Sequence, residues 1–524
     1  MTQYDVKETI TSSEGTNHEE FADLTNQVLH TDLAYDKEGI GGILRSPFVF
    51  GAALLASFGG FSFGYDQGVI SLILVMPQFH EQFPKIAPDA PRYGFNVGVM
   101  TGLLELGAFI GCLCLPYLAD HLSRKWGLTV ATCFFCIGAV IQTASHNYNT
   151  LVAGRFIGGI GVGTLAMSAP LYISEIAPPN IRGSLLVLEA ISIVIGAIIA
   201  YWITYATRHI TGDGSFRLPF LLGRNGDSLK ALAKLRRLPQ DDSRVQTEWK
   251  GILVDVRFQE GMLKREHPNT DPLMLEIKQW IQLFKPKYIR QTLVAIGIPF
   301  FQQFSGINAF VYYAPTFFAA LGQSYEMTLI LSGMVNICQL VAGIPTFLFL
   351  DQIGRRKLAI FGGLAMAVPH IIMAGVVGKF SHSWPTHQGV GWFGVALIYT
   401  YVLTYAASYG PLAWTLPAEC FSTATRSKGV GIATATIWIA NFIIGVAIPQ
   451  MAISIGWGTY LFFGCFCLGA SVFSFFLVPE TSKKSLEQIA EVFGDKSIYE
   501  EAELMARVAE ELFGRTTSIE ELKV

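Results

Sequence analysis

Charge is scarce in this chain. Only 15% of its 524 residues are Asp, Glu, Lys or Arg, 51% are hydrophobic, and the mean hydropathy is +0.41. So little charge excludes an ordinary water-facing globule, and the apolar residues fall into runs long enough to cross a bilayer. Neither sign dominates. With 37 Lys+Arg against 40 Asp+Glu there is no basic surface for nucleic acid, which is not expected as a partner. Reaction motifs are also missing: there is no HExxH, no GxSxG and no convergent set of histidines and carboxylates. His370, in an apolar run, reads as a hydrogen-bonding side chain between helices. No enzyme, cofactor or metal site is expected. Cys133 and Cys136 have CxxC spacing but no second ligand pair, and Cys112, Cys114, Cys338, Cys465 and Cys467 also lie in apolar runs, where a thiol is a small hydrophobe. Residues 1–46 lack a basic start followed by a short apolar core, so no cleaved signal is expected there.

What is abundant is apolar sequence. Runs occupy about 47–76, 96–119, 126–145, 150–172 and 184–206, then, after a polar stretch from about 213 to 289, about 290–321, 327–350, 358–378, 390–416, 430–455 and 457–478. Each can cross a core of ~30 Å at 1.5 Å per residue. The expectation is an all-α, multi-pass membrane protein with eleven apparent spans. Residues 1–46 form a polar cytosolic tail, 47–222 a first bundle, 223–289 a cytosolic helical linker, 290–478 a second bundle and 479–524 a cytosolic tail. GRFIGGIGVG (154–163) does not follow a strand, so its glycines read as close helix contacts in lipid rather than a phosphate loop.

Two short patterns occur twice. Asp120, Arg124 and Lys125 follow the second run, and Asp351, Arg355, Arg356 and Lys357 follow the seventh. Glu175 and Arg182 are seven residues apart, as are Glu419 and Arg426. One such cluster is a solvated helix end that helps to set topology. The same order in each half instead implies two related bundles, an arrangement that secondary transporters build around a central site. These groups are candidates for gating charges.

These motifs, together with PLYISEIAPxxxRG, QQxSGIN…YY, GPLAWxLPAE and the PETSKKSLEQI ending, resemble the sugar porter family of the major facilitator superfamily, most closely its fungal hexose-type members. The resemblance runs from about residue 47 to 490 with one large gap. It implies the major facilitator fold, two helical bundles rocking about a sugar site, in a multi-pass protein expected in the plasma membrane. It also gives the carboxamides of QQFSGINAFVYY a purpose. A carboxamide offers one acceptor and two donors to sugar hydroxyls without a charge. By resemblance Gln302, Gln303, Asn308, Tyr312 and Tyr313 belong to the sugar site, with Trp414, Trp438 and Asn441. The amide twelve residues before Asp351 is Gln339, with Asn336 one turn earlier. Interhelical amide bonding is the competing reading of the amides. Ala190 and Ile437 stand where relatives commonly carry polar side chains, so sugar selectivity does not transfer.

Asp66, inside the first run, costs ~2.5–3.5 kcal/mol at mid-helix on insertion scales. Its position resembles the aspartate of proton-coupled porters, with Arg155 its partner, so a change in their separation could load and release a proton. Facilitated sugar diffusion and a non-transporting sugar sensor remain alternatives. So does an inactive variant, because one helix is missing. FRLPFLL (216–222) runs directly into GRNGDSLKALAKLRRLP, where the family continues through a sixth apolar helix. With eleven crossings, Arg124, Lys125 and Arg182 lie on the opposite side from Arg355, Arg356, Lys357, Arg426 and Lys428, and the 15 Lys+Arg between Arg217 and Arg290 are exported, against the positive-inside tendency. A mis-joined or alternatively spliced product is the expectation.

Overall fold

In the computed structural model, residues 47–222 and 272–482 are described, apart from breaks at 123, 177–178, 211, 213 and 422–424, together with 489 and 492–493. All regular elements among them are helices. The first half contains α1 (Pro47–Ala56), α2 (Phe58–Ile73), the short α3 (Pro77–Gln82), α4 (Tyr93–Leu122), α5 (Arg124–Thr143), α6 (Tyr148–Ile176), α7 (Pro179–Thr207) and α8 (Gly214–Leu222). Next come α9 (Pro272–Gln282), α10 (Ile289–Phe304), α11 (Ile307–Tyr312), α12 (Ala314–Ala319), α13 (Tyr325–Ile353), α14 (Arg355–Phe380), α15 (Gln388–Ala407), α16 (Tyr409–Cys420), α17 (Arg426–Ser454) and α18 (Trp457–Leu477).

Among the described residues, nine stretches are long and apolar enough to cross a membrane, from Tyr93–Cys114 to Trp457–Leu477. Two further runs take part in shorter form. The first is broken into α1 and α2 at Ser57, whose hydroxyl donates to the Ala53 carbonyl at 2.8 Å, and the third contributes the apolar stretch Thr129–Thr143 of α5. The eleven expected runs are therefore all helical.

Small residues set the spacing inside the first bundle. A Cβ on Gly64 of α2 would sit 1.8 Å from the Ile193 carbonyl oxygen of α7, so only glycine lets these two backbones approach so closely. Between the bundles, α4 lies along α17 and α7 along α13.

Two spans of the second bundle are interrupted where they face the interior. Gly306, at φ 95°, ends one helical segment and starts the next, so the last turn of α10 and the first of α11 present side chains to the same space. Between α15 and α16 the chain breaks at Ser408, and Tyr409, Gly410 and Pro411 open α16. The Gln302 amide donates to the carbonyls of Tyr409 and Gly410, each at 3.2 Å. The amide thus ties the end of α10 to the first turn of α16, next to the break.

The sixth crossing is the exception. α8 has nine residues, about 13 Å of helix at 1.5 Å each, and cannot span the core. It is anchored at the Tyr148 end of the first bundle. Arg217 donates to the carbonyls of Thr143 and Ser145 at 2.7 and 3.0 Å, Phe216 packs on Phe79, and the Tyr65 hydroxyl donates to the Pro219 carbonyl at 3.0 Å. Trp280, in α9, lies at the opposite end. Its ring faces the Lys428 ammonium at 5.9 Å, and a Cβ on Gly431 would meet both that ring and Met167. Tyr148 and Met167 are 19 residues apart on α6, about 28 Å at 1.5 Å per residue. Arg217 and Trp280 are thus held at opposite ends of the first bundle, and the sequence of residues 223–271 contains no apolar run of spanning length.

Candidate functional site

A cavity of about 790 Å³, its open mouth included, lies between the two bundles. Its wall takes Gln302 and Gln303 from α10, Asn308 and Val311 from α11, Gln339 from α13, Tyr405 and Ala406 from α15, Trp414 from α16, and Ile437 and Asn441 from α17. The first bundle supplies Phe63 and Gln67 from α2 and Ala190, Ile191 and Val194 from α7. None of the lining residues is charged. The lining suits a small neutral ligand, since ligand pockets fix orientation with a few polar groups.

The carboxamides are also bonded to one another. Gln303 donates to Gln302 Oε1 at 3.0 Å, Asn308 donates to Gln303 Oε1 and to Asn441 Oδ1 (2.7 Å), and Asn441 Nδ2 reaches the Tyr312 hydroxyl at 3.4 Å. Tyr312 in turn donates to Glu105 of α4 and accepts from Gln67 Nε2 at 2.8 Å. Both readings of the amides therefore have a physical counterpart: they bridge elements, and they face a cavity.

Of the residues picked out in the sequence, Gln302, Gln303, Asn308, Gln339, Trp414 and Asn441 meet at the cavity. Asn336, Tyr312, Tyr313 and Trp438 do not line it. Asn336 accepts from Gln339 at 3.5 Å, one turn behind the wall. Tyr313 donates to the Gly445 carbonyl at 2.9 Å. Trp438 is wholly buried, with its ring edge-on to Phe63 at 4.7 Å and Leu104, Ala108 and Val162 in the same apolar cluster. It supports Phe63, whose other side faces the cavity. Ile437 and Ala190, both apolar, do line it.

Sequence reading missed Gln67, which lies beside Asp66 on the same helix, and Tyr405. Glu105 is a further carboxylate, inside the second apolar run. An intramembrane Glu was a visible signal, but its Tyr312 partner is 207 positions away and on the other bundle.

Asp66 and Arg155 pair as expected, with Nη1 to Oδ2 at 3.3 Å. Both are buried. Arg155 Nε donates to the Met100 carbonyl at 2.7 Å and Nη2 to that of Thr101 at 3.5 Å, so this one side chain joins α2, α4 and α6. His370 is a bundle hydrogen-bonder, its Nε2 lying 3.0 Å from the Ser305 carbonyl oxygen at the α10–α11 break.

Of the gating candidates, the second-bundle set is described in most detail. Arg355 Nη2 bonds Glu419 Oε1 at 2.8 Å, and Thr481 donates to the other Glu419 oxygen at 2.7 Å. Glu480, which the sequence reading did not single out, accepts from the backbone N–H groups of Arg355 and Arg356 at the start of α14, the end of a helix where an anion is favoured. Arg356 donates to the Phe475 carbonyl, and Arg426 is buried at the start of α17. The side chains of Asp120, Arg124, Lys125, Glu175, Arg182 and Asp351 lie outside the described residues.

Two bundles of membrane-spanning helices, broken where they enclose an uncharged polar cavity, define a membrane transporter. Residues 52–493 match the family described as "Sugar (and other) transporter". The chain belongs to that family, whose relatives here are transporters and not enzymes. It is 30% identical over 470 residues to Sugar transport protein 13 of Arabidopsis thaliana, covering 85% of this chain and 89% of that protein. It is 29% identical to the galactose transporter of Saccharomyces cerevisiae, over 84% of this chain and 80% of that one. Among solved structures it resembles the major facilitator proton:xylose symporter XylE bound to 6-bromo-6-deoxy-D-glucose, with a TM-score of 0.65, 25% identity and coverage of 86% of this chain and 99% of the other. XylE is an E. coli protein.

Proposed function

We propose that this protein binds a neutral monosaccharide, a hexose in the first instance, in the cavity walled by Gln302, Gln303, Asn308, Gln339, Trp414 and Asn441. It moves the sugar by alternating access of the two bundles, in symport with a proton. The observation that carries the sugar reading is a wall with six carboxamides and no charged side chain. Such a wall matches the donor and acceptor pattern of a ring of hydroxyls and has no charge with which to hold an ion. Relatives named for glucose and galactose support a hexose. Symport is supported by the buried Asp66–Arg155 pair and by the name of the XylE neighbour. The plasma membrane is the site of action in this reading.

The test uses the full chain in sealed vesicles with D-glucose, D-galactose and D-xylose. Sugar should accumulate uphill under an inward proton gradient, and Asp66→Asn should abolish accumulation while permitting exchange of sugar already equilibrated. Accumulation by Asp66→Asn, or indifference of the unmodified protein to an uncoupler, contradicts the proton role and leaves facilitated diffusion.

The nine-residue α8 favours a second reading, in which this chain keeps the sugar site but completes no transport cycle. A first bundle that lacks its sixth crossing cannot rock as a closed unit. Robust uptake by the 524-residue chain itself contradicts it.

A further inference from the structure

We propose that Glu105 is a second proton-holding group, and that Tyr312 and Asn441 link its protonation to sugar binding. The proposal rests on the symport reading and deepens it. Glu105 is wholly buried on α4, with Oε1 accepting from the Tyr312 hydroxyl and Oε2 without a hydrogen-bond partner. Nothing in the Asp66–Arg155 pairing requires such a carboxyl. Burying it in hydrocarbon is costly whether it is charged or left half-satisfied.

Charge balance is the first argument. Among the described residues, the titratable groups facing Glu105 are Asp66 from α2, Arg155 from α6, and Tyr312 and Tyr313 from α11 and its C-cap. The neighbour from α17 is the neutral Asn441. Two carboxyl groups thus share one guanidinium. The cluster is neutral only when one carboxyl holds a proton, and the proton on Asp66 is no different in this balance from a proton on Glu105.

The direction of the hydrogen bonds is the second. Every donor between the cavity and α4 points the same way: Asn308 to Asn441, Asn441 to Tyr312, and Tyr312 to Glu105. Tyr312 has one hydrogen, and its oxygen already accepts from Gln67. An ionised Glu105 accepts that hydrogen. A protonated Glu105 can carry its hydrogen on the unpartnered Oε2 and still accept at Oε1, but a neutral oxygen holds the Tyr312 hydrogen less strongly than a carboxylate does. The phenol hydrogen is then freer to turn toward Asn441 Oδ1, which accepts it more readily once Asn308 releases that oxygen. A sugar hydroxyl that takes over the Asn308 amide favours that release. No bond beyond these hydrogen bonds forms or breaks, and one proton from solvent is gained. Protonation and sugar binding therefore favour each other, and because Tyr312 and Glu105 sit on different bundles the link also ties α11 to α4.

The experiment measures the equilibrium affinity of the purified full chain for D-glucose, D-galactose and D-xylose between about pH 5 and about pH 8, beside Glu105→Gln, Tyr312→Phe and Asp66→Asn. One linked proton changes affinity by up to about tenfold per pH unit. In the unmodified protein, affinity should rise as pH falls, and in Glu105→Gln it should vary by less than about twofold over the same range, since glutamine keeps the shape but cannot titrate. Tyr312→Phe, which preserves packing, should flatten the profile as well and serves if Glu105→Gln does not fold. A full profile in Glu105→Gln together with a flat one in Asp66→Asn overturns the proposal and leaves Asp66 as the proton carrier. A flat profile in the unmodified protein, with no uphill accumulation in vesicles, overturns the symport reading and this proposal with it.

Discussion

Asn308 holds two others in place: it donates to Gln303 on its own span and to Asn441 on α17. Removing such a buried partner costs about 1–3 kcal/mol, so Asn308→Ala should weaken sugar affinity roughly five- to hundredfold while the protein still folds and purifies. Titration calorimetry checks this, and an unchanged affinity would move the site elsewhere. At this scale the sequence was most legible where polarity broke an apolar run. Gln302, Gln303 and Asn308 stood out for that reason, and so did Asp66, whereas Asn441 came from the family resemblance. Trp438 misled, because an aromatic side chain in a span looks the same whether it faces a cavity or an apolar cluster. The partners of Glu105 were invisible, since a hydrogen bond across 207 positions leaves no local pattern.

The junction between α13 and α14 shows what an element boundary adds. Gly354, at φ 91°, turns the chain, Glu480 caps the start of α14, and Arg355 reaches Glu419 in the last turn of α16. The Arg355 and Glu419 side chains are only 5% and 11% exposed, whereas Arg356 is exposed. Glu419→Gln removes a charged partner from a buried guanidinium and the acceptor pairing with Thr481. It should lower stability by about 1.5–3 kcal/mol, the worth of hydrogen bonds to charged groups. Arg356→Ala should change the thermal midpoint far less, and equal shifts in the two variants would contradict a structural role for the Arg355–Glu419 pair. Helix positions were legible from run length and hydropathy. The breaks at Gly306 and Ser408 were not, because Gly and Ser are common inside membrane helices and only the cavity explains why these two interrupt the backbone.

For the whole molecule, the fold class and the paired bundles followed from run count and the repeated charge clusters, and the short sixth element from the seven residues of FRLPFLL and the charge that follows them. Its consequence needed the structure: α8 and Trp280 are anchored at opposite ends of the bundle. Supplying an apolar span of about 20 residues after Leu222 should therefore raise sugar uptake in vesicles well above that of the chain as it stands, with binding affinity little altered. Equal uptake in the two contradicts the transport defect. The central claim is that the carboxamide cavity takes a neutral sugar, and it is tested most directly by competition binding on the purified full chain. D-glucose, D-galactose or D-xylose should bind saturably and be displaced by one another, with gluconate and glucose 6-phosphate failing to compete because the wall offers no charge to pair with theirs. Preferential binding of the anionic compounds, or no binding of any neutral sugar, would contradict it.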